Sequence, residues 1–202
     1  MKMKTKTSIA LIGTLLFQFA IANAAETNSC CAVNLPAAQF SGQSLYQTES
    51  VWTTDGEKPI KLRALAGKPQ LVLMFYSRCT TACPLLENQL RQIESALTPD
   101  LRAKIGFTLI SFDSERDTPK ALAEYRKAWN LPGDWNLLSG KADDILELTA
   151  LLGIQYKPTA DGQFAHSNVI TLLNGNGEIV FQQTGLNAEP EEMVRQIEKL
   201  LK

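Results

Sequence analysis

Apolar and polar positions along the chain alternate in blocks that predict strands and helices. The continuous apolar run 71–76 has the length of a strand that is buried on both faces of a sheet. The positions after it recur at steps of four and three, which predicts one apolar face of an amphipathic helix: Leu86, Leu90, Ile93 and Leu97. Thr98-Pro99 is expected to end this helix.

The same patterns predict the rest of the domain. The expected elements are a hairpin (47–53 and 59–62), a strand (105–112), a helix starting at Pro119, a helix (141–152), a second hairpin (167–173 and 178–184) and a final helix (190–201). Asp117 is interpreted as the N-cap of the helix that starts at Pro119. Leu122, Tyr125 and Trp129 are predicted to face inward from that helix. Strands alternating with helices indicate one α/β domain with a mixed sheet between helices.

The first 24 residues have the pattern of a cleaved export signal. Lys2, Lys4 and Lys6 precede the mostly apolar stretch 9–21, and Ala22-Asn23-Ala24 is a small-residue cleavage site. The alternative is an uncleaved anchor, but the apolar stretch is shorter than the roughly 20 residues that span a bilayer. We therefore expect an exported, periplasmic protein without stable membrane insertion, tethered only if the leader is retained.

Charge and cysteine content narrow the function further. The formal net charge is −1 at pH 7 and no basic cluster stands out, which argues against a nucleic-acid partner. Four cysteines follow the leader. Cys30 and Cys31 are adjacent in a polar tail (25–44) that is predicted to be flexible. A disulfide between neighbouring residues would be strained. The folded domain is expected to cover 45–202, with Trp52, Trp129 and Trp135 more readily assigned to the core than to function.

The remaining cysteines form the most informative pattern. Cys79 and Cys83 are predicted to open the helix after the buried strand, where i and i+4 thiols share a face and could form a disulfide or hold a metal ion. Helix amides and Arg78 would favour the thiolate. His166, the only histidine, could add a nitrogen ligand. The simpler alternatives are two small core residues and a surface or hydrogen-bonded histidine.

Three motifs resemble those of the Sco/SenC family of copper-binding, thioredoxin-like proteins. The segment 75–84 (FYSRCTTACP) is similar to the family's C-x-x-x-C-P signature, and 111–119 (SFDSERDTP) to its D-P-E-R-D-T-P motif. His166 matches the family's distal histidine. Three positions depart from the usual pattern, with Thr80 and Ser114 in place of prolines and Ala165 in place of aspartate. None of these changes removes a metal ligand.

The resemblance implies a fold, a cargo and partners. The fold would be thioredoxin-like, a central mixed sheet flanked by helices with an N-terminal β-hairpin extension. Cys79, Cys83 and His166 would bind copper as Cu(I) or Cu(II), with Cys79 and Cys83 also a redox-active dithiol. Partners would be a respiratory oxidase subunit or its assembly factors, and a copper donor protein. Two further expectations come from the residues themselves and not from the resemblance. Asp113 could tune the site electrostatically without being a ligand. Cys30 and Cys31 lie outside the family's common core, and their flexible setting argues for a secondary soft-metal site or an exchange relay that would add copper capacity.

Three functions remain open at this point. The first is a metallochaperone that delivers copper to, or prepares, the copper site of a terminal oxidase such as cytochrome c oxidase. The second is a thiol–disulfide oxidoreductase that reduces client cysteines before metallation. The third is a peroxide-reducing enzyme, which is weaker because no single cysteine has an obvious activating pocket. Three residues between the cysteines, rather than the two of thioredoxin-type reductases, favour metal handling.

Overall fold

The computed structural model describes residues 40–202, so the expected leader (1–24) and the Cys30–Cys31 pair lie outside the described residues. Within this range the elements, in chain order, are β1 (Val51–Thr54), β2 (Pro59–Lys61), β3 (Gln70–Phe75), α1 (Ala82–Ala96), α2 (Pro99–Lys104), β4 (Gly106–Ser111), α3 (Pro119–Ala128), β5 (Asn136–Ser139), α4 (Ala142–Leu151), β6 (Tyr156–Pro158), β7 (Phe164–His166), β8 (Val169–Leu173), β9 (Ile179–Thr184) and α5 (Pro190–Leu200).

Seven of the strands form one mixed sheet in the order β2-β1-β5-β4-β3-β8-β9. The central strands β3, β4 and β5 run parallel, whereas β8 lies antiparallel to β3 and β9 antiparallel to β8. The β1–β2 hairpin extends the sheet through an antiparallel pairing of β1 with β5. The predicted mixed sheet flanked by helices, with an N-terminal hairpin extension, is confirmed.

The centre of the sheet contains the most apolar strands. Every residue of β3, β4 and β8 is buried, as the continuous apolar run predicted for β3. Helix α1 packs against α5, and α3 packs along β5. Because β3 and β4 are parallel neighbours, their carboxyl ends at Phe75 and Ser111 meet at one edge of the sheet. In open α/β sheets this edge is where binding sites form.

Several short elements were absent from the sequence prediction. Thr98-Pro99 does end α1, but it also begins α2, since the Thr98 hydroxyl accepts a hydrogen bond from the Leu101 amide. Strands β5, β6 and β7 are only three or four residues long. Such short segments contain too few positions for an alternating pattern to stand out. Their strand conformation depends on pairing partners far away in the sequence.

Two predictions about α3 were wrong. Thr118 is the N-cap, because its hydroxyl accepts a hydrogen bond from the Ala121 amide, and Asp117 precedes the cap. Trp129 is 44% exposed, whereas Leu122, Tyr125, Trp52 and Trp135 are buried as expected. Trp129 follows the last helical residue, where the chain leaves the helical path. The period of the helix therefore no longer fixes the direction of this side chain.

No helix among the described residues is long and apolar enough to cross a membrane.

Candidate metal centre

The first thiol lies in the loop between β3 and α1, and not on the helix. Helix α1 begins at Ala82, so Cys79 belongs to a turn in which its amide donates to the Tyr76 carbonyl at 3.1 Å. Cys83 is the second residue of the helix. The prediction that both cysteines lie on one helical face was therefore wrong. Both side chains are nevertheless buried, at 5% and 0% exposure.

The Cys79 sulfur stabilises the start of α1. The side chain of the N-cap residue Thr81 makes no hydrogen bond to the first turn of α1. The Cys83 amide donates to the Cys79 sulfur instead, at 3.2 Å. A free helix amide favours negative charge on its acceptor. The pKa of Cys79 is lowered to about 3, and the largest cause is the hydrogen bond from the Cys83 thiol. Hydrogen bonds from His166 and from the amides at the start of the helix act in the same direction, and together these contacts outweigh the opposing effect of burial. Cys79 is thus the thiolate of the pair.

Cys83 is the protonated partner. Its hydrogen bond to Cys79 and its complete burial raise the pKa of the Cys83 thiol well above the ordinary value. The reduced pair therefore holds one proton and one negative charge. Such a pair can share a proton, form a disulfide, or lose the proton to an arriving metal ion, since the thiolate is the metal-binding form.

The histidine reaches the thiols from a separate hairpin. Strands β6 and β7 form their own two-stranded sheet, in which Tyr156 pairs with His166. The sequence analysis placed His166 directly before a strand of the main sheet, and β7 was missed. The His166 Nε2 atom lies 3.8 Å from the Cys83 sulfur, and Nδ1 lies 3.0 Å from the Ser167 carbonyl.

The imidazole is held in a charged, half-buried environment. Burial lowers the pKa of His166, but its hydrogen bonds to the Cys79 sulfur and the Ser167 carbonyl outweigh this effect, so that the pKa is raised overall. A carbonyl at Nδ1 also holds that nitrogen in its protonated form and leaves Nε2 directed at the sulfurs. Metal-binding histidines are usually oriented in this way, by a hydrogen bond from the ring nitrogen that does not face the metal.

The three potential ligand atoms converge. The sulfurs of Cys79 and Cys83 and a ring nitrogen of His166 all lie within 4.8 Å of one another. Metal–sulfur and metal–nitrogen bonds are about 2.0–2.3 Å, so two ligands of one ion lie within about 4.6 Å of each other. Small side-chain movements would bring all three atoms onto one ion. Two soft sulfurs and one imidazole suit copper or zinc.

A buried carboxylate that the sequence analysis interpreted as a cap supports the cysteine loop. Asp117 is 1% exposed and accepts hydrogen bonds from the Ser77 amide at 2.9 Å, the Ser77 hydroxyl and the Ser111 hydroxyl. It therefore ties the segment before Cys79 to the end of β4. The sequence contained a weak signal for this role, because Asp117 follows β4 at the edge where the loops meet.

The second acid of the loop after β4 forms ion pairs with two arginines. Asp113 is 2% exposed and lies 3.2 Å from the Arg116 guanidinium and 3.6 Å from that of Arg78. Arg78 also donates to the Gly162 carbonyl at 2.9 Å, which connects the residue before Cys79 to the hairpin that carries His166. Asp113 is not among the three converging ligand atoms.

The architecture and the loop that precedes α1 define the class of protein. A mixed sheet with parallel central strands, helices around it and a cysteine pair at the carboxyl end of β3 constitutes a thioredoxin-like domain. The sequence pattern of one family, SCO1/SenC, matches residues 41–202. The chain belongs to the SCO1/SenC family.

Relatives of known sequence or structure agree with this assignment. The SCO1 protein homolog of Bacillus subtilis is 26% identical over 139 residues, which cover 66% of this chain and 70% of that protein. The structure of Bradyrhizobium japonicum ScoI with copper bound is 26% identical with a TM-score of 0.63, over 75% of this chain and 96% of that one. A SCO1/SenC family lipoprotein from Bacillus anthracis shares the fold, with a TM-score of 0.68 and 22% identity over 75% and 92% of the two chains.

Proposed function

We propose that this protein is an exported copper chaperone that binds copper through Cys79, Cys83 and His166 and delivers it to, or prepares, the copper site of a respiratory terminal oxidase. The observation that carries the proposal is the convergence of two sulfurs and one imidazole nitrogen within 4.8 Å. The Bradyrhizobium relative, which is copper-bound, supports the choice of metal. In this function copper is the cargo of the protein and not a permanent cofactor.

The donor set suits a cargo that must be released. Two thiolates favour Cu(I), and the additional imidazole can support Cu(II). Three protein ligands leave an open coordination position, at which a ligand of the client protein could attack. His166 is half-buried and lies beside the exposed residues Gln155 and Lys157. The client would thus approach the nitrogen side of the site, since both sulfurs are buried.

Export to the periplasm is part of the proposal and rests on the sequence alone. The positive start, the short apolar stretch and the small residues before position 25 support a cleaved leader. A tail with Cys30 and Cys31 would follow it, and the copper-binding domain would cover 45–202. The client oxidase subunit, its assembly factors and the copper donor would meet the protein in that compartment.

A second candidate function is thiol–disulfide exchange with a client, and the thiol pair itself favours it. A thiolate at Cys79 beside a protonated thiol at Cys83 is the usual form of a reducing dithiol. Cys79 would attack a client disulfide, and Cys83 would then displace the client thiolate, leaving a Cys79–Cys83 disulfide. Both functions are compatible, because copper binding requires the dithiol and oxidation would release the ion.

Replacement of His166 by alanine separates the two functions. Loss of the imidazole should abolish or greatly weaken Cu(II) binding, whereas Cu(I) should remain on the thiolates with reduced affinity. Oxidation of the thiol pair does not need the histidine and should continue. The measurements are spectroscopic titration with Cu(II), competition with a Cu(I) chelator, and a thiol-oxidation assay on the same variant.

Two controls make the result decisive. The first control is Lys157→Ala, which changes an exposed residue on the same hairpin. This variant should bind Cu(I) and Cu(II) with the same affinities as the unmodified protein. Restoration of oxidase activity in cells that lack the protein provides the functional readout. Unaltered Cu(II) binding by His166→Ala would exclude His166 as a ligand. Full oxidase maturation despite lost Cu(II) binding would favour the thiol-exchange function.

A further inference from the structure

The position of the imidazole depends on how a small hairpin docks on the domain. Strands β6 and β7 pair with each other and not with the seven-stranded sheet. Backbone ladder hydrogen bonds therefore shape the hairpin itself, but they do not attach it to the main sheet. Besides the two-residue link from His166 to β8, contacts made by side chains hold the hairpin against the segment that carries the thiols.

The residues just before Cys79 provide the polar contacts. The Tyr76 hydroxyl donates to the side-chain oxygen of Gln163 at 2.9 Å and accepts a hydrogen bond from the backbone amide of Phe164 at 3.4 Å. The Arg78 guanidinium donates to the Gly162 carbonyl at 2.9 Å. The short segment 76–79 thus contains the Cys79 thiol and also contacts the tip of the hairpin on which His166 lies.

Aromatic rings fill the space beneath these polar contacts. The Tyr76 ring meets Phe164 edge-on with centroids 5.1 Å apart, and its centroid is 6.0 Å from that of His166. Phe112 stacks on Tyr156 at 5.1 Å and lies 5.2 Å from the imidazole. Contacts between rings tolerate sliding, because several offset and edge-on arrangements have similar energies. A hydrogen bond is directional, and the Tyr76 hydroxyl makes two.

We infer that Tyr76 is a positioning residue that determines which oxidation state of copper the site prefers. Its hydroxyl holds the hairpin so that the His166 nitrogen remains within bonding range of an ion on the two sulfurs. Cu(II) needs that nitrogen, whereas Cu(I) is satisfied by two thiolates. Loss of the hydroxyl should therefore weaken Cu(II) binding selectively. The inference rests on the proposed function, since it assumes that His166 is a copper ligand.

The variant Tyr76→Phe tests the inference with the ring retained. Loss of an outer contact that orients a metal ligand typically reduces metal affinity 10–100-fold. We expect a Cu(II) affinity reduced about 10–100-fold and a shifted Cu(II) absorption spectrum, with Cu(I) affinity within about threefold of the original. The matched control is Tyr156→Phe. This tyrosine belongs to the same aromatic cluster, but its hydroxyl takes no part in the contacts between the hairpin and segment 76–79.

A second variant identifies the contact that is responsible. Gln163→Ala removes the acceptor of the Tyr76 hydroxyl and should reduce Cu(II) affinity in the same direction. Because the two groups bond to each other, the double variant should lose much less than the product of the two single losses. Multiplicative losses would show that the two residues act independently and would overturn the inference. Thermal unfolding of each metal-free variant verifies that it is folded.

The outcomes distinguish failure of the inference from failure of the proposed function. If His166→Ala loses Cu(II) while Tyr76→Phe binds it as tightly as Tyr156→Phe does, the role of Tyr76 is wrong and the site remains. If Tyr76→Phe loses Cu(I) and Cu(II) equally, the residue is only structural and the inference also fails. If His166→Ala binds Cu(II) normally, the proposed site is wrong and the inference fails with it.

Discussion

At the scale of single residues, the thiol pair shows how local contacts differentiate two identical side chains. Cys79 accepts hydrogen bonds from the Cys83 thiol and the Cys83 amide, and its pKa is lowered to about 3. Cys83 donates and is fully buried, and its pKa is raised. The sequence established that two thiols lie close together, but not which of them is the thiolate. The two pKa values differ because Cys79 lies in the loop before α1, where its sulfur can accept the Cys83 amide, whereas Cys83 lies within the helix.

Another residue with a shifted pKa, Glu87, lies one turn beyond Cys83. Glu87 is 2% exposed, accepts a hydrogen bond from the Tyr125 hydroxyl, and has its other oxygen unpartnered within residues 40–202. Burial, the largest cause, raises the pKa of Glu87 to about 7, although Tyr125 and Arg91 oppose the change. Sequence reasoning missed this residue because Glu87 looks like an ordinary polar position beside an apolar stripe.

The stability of the reduced, metal-free protein should therefore depend on Glu87 between about pH 4.5 and 7. In this interval the folded protein retains a proton on Glu87 that the unfolded chain has released, so stability falls as pH rises. The variant Glu87→Gln cannot ionise there. Relative to it, the original protein should lose up to about 3 kcal/mol of unfolding free energy across the interval, at 1.36 kcal/mol per pKa unit.

Urea unfolding of both proteins at several pH values measures this difference. The matched control is Glu124→Gln, since Glu124 is exposed on α3 and should show no such trend. The prediction would be contradicted if the unfolding free energies of the original protein and Glu87→Gln differed by the same amount at every pH. It would also be contradicted if the original protein became the relatively more stable of the two as pH rises.

At the scale of elements, the site is built by two loops and a hairpin at the carboxyl ends of β3 and β4. The predicted strands and the helix after Cys83 place the cysteines at this edge of the sheet. The sequence prediction extended the helix to Cys79 because Cys79 continues the apolar spacing of α1. In the structure that helix begins only at Ala82, and Cys79 lies before it in a turn in which its amide donates to the Tyr76 carbonyl. Hydrophobic spacing alone does not distinguish a helical residue from a buried turn residue.

The buried carboxylate of Asp117 should be essential for the rigidity of the cysteine loop. Asp117→Ala leaves the Ser77 amide and the buried Ser111 hydroxyl without their acceptor. Each unsatisfied buried polar group costs about 1–3 kcal/mol, so the variant should lose about 2–6 kcal/mol of unfolding free energy. Chemical denaturation measures this loss, and copper titration should show a weaker site.

The exposed Ser114, in the same loop, offers the control, and Ser114→Ala should change the unfolding free energy by less than about 0.5 kcal/mol. If Asp117→Ala were as stable as Ser114→Ala, Asp117 would not support the loop as described.

At the scale of the whole molecule, the domain should keep its fold in either redox state. Cys79 and Cys83 belong to the core that β3, β4, β8 and the helices form, and that core contains no covalent link between the two thiols. Oxidation closes a loop of about five residues, which stabilises a protein by about 2 kcal/mol at most in the chain-entropy account. We expect the oxidised protein to melt less than about 8 °C above the reduced protein.

Calorimetry of the reduced and oxidised forms measures this shift, and far-ultraviolet circular dichroism should give matching spectra. The double variant Cys79→Ser/Cys83→Ser, treated with the same oxidant, provides the control and should not change. Unfolding of the domain on reduction would show that the thiol pair is a structural crosslink.

The fold class, the edge of the sheet where the cysteines lie and the three candidate ligands could all be predicted from the amino-acid sequence. These features depend on residue type and on periodic spacing, both of which can be read along the chain. The copper-binding and thioredoxin-like expectations depended on motifs that resemble those of a family, and the match over residues 41–202 confirms the family. The ligand roles and the client remain proposals.

How the candidate ligands meet, and what holds them, became visible only in the folded protein. The tertiary structure placed His166 on a separate hairpin, assigned the thiolate to Cys79 and moved Asp117 from a helix cap to a support of the cysteine loop. It also brought Tyr76 to Gln163, 87 positions apart in sequence. These features arise from contacts between distant segments, and directional hydrogen bonds leave no periodic trace in a sequence.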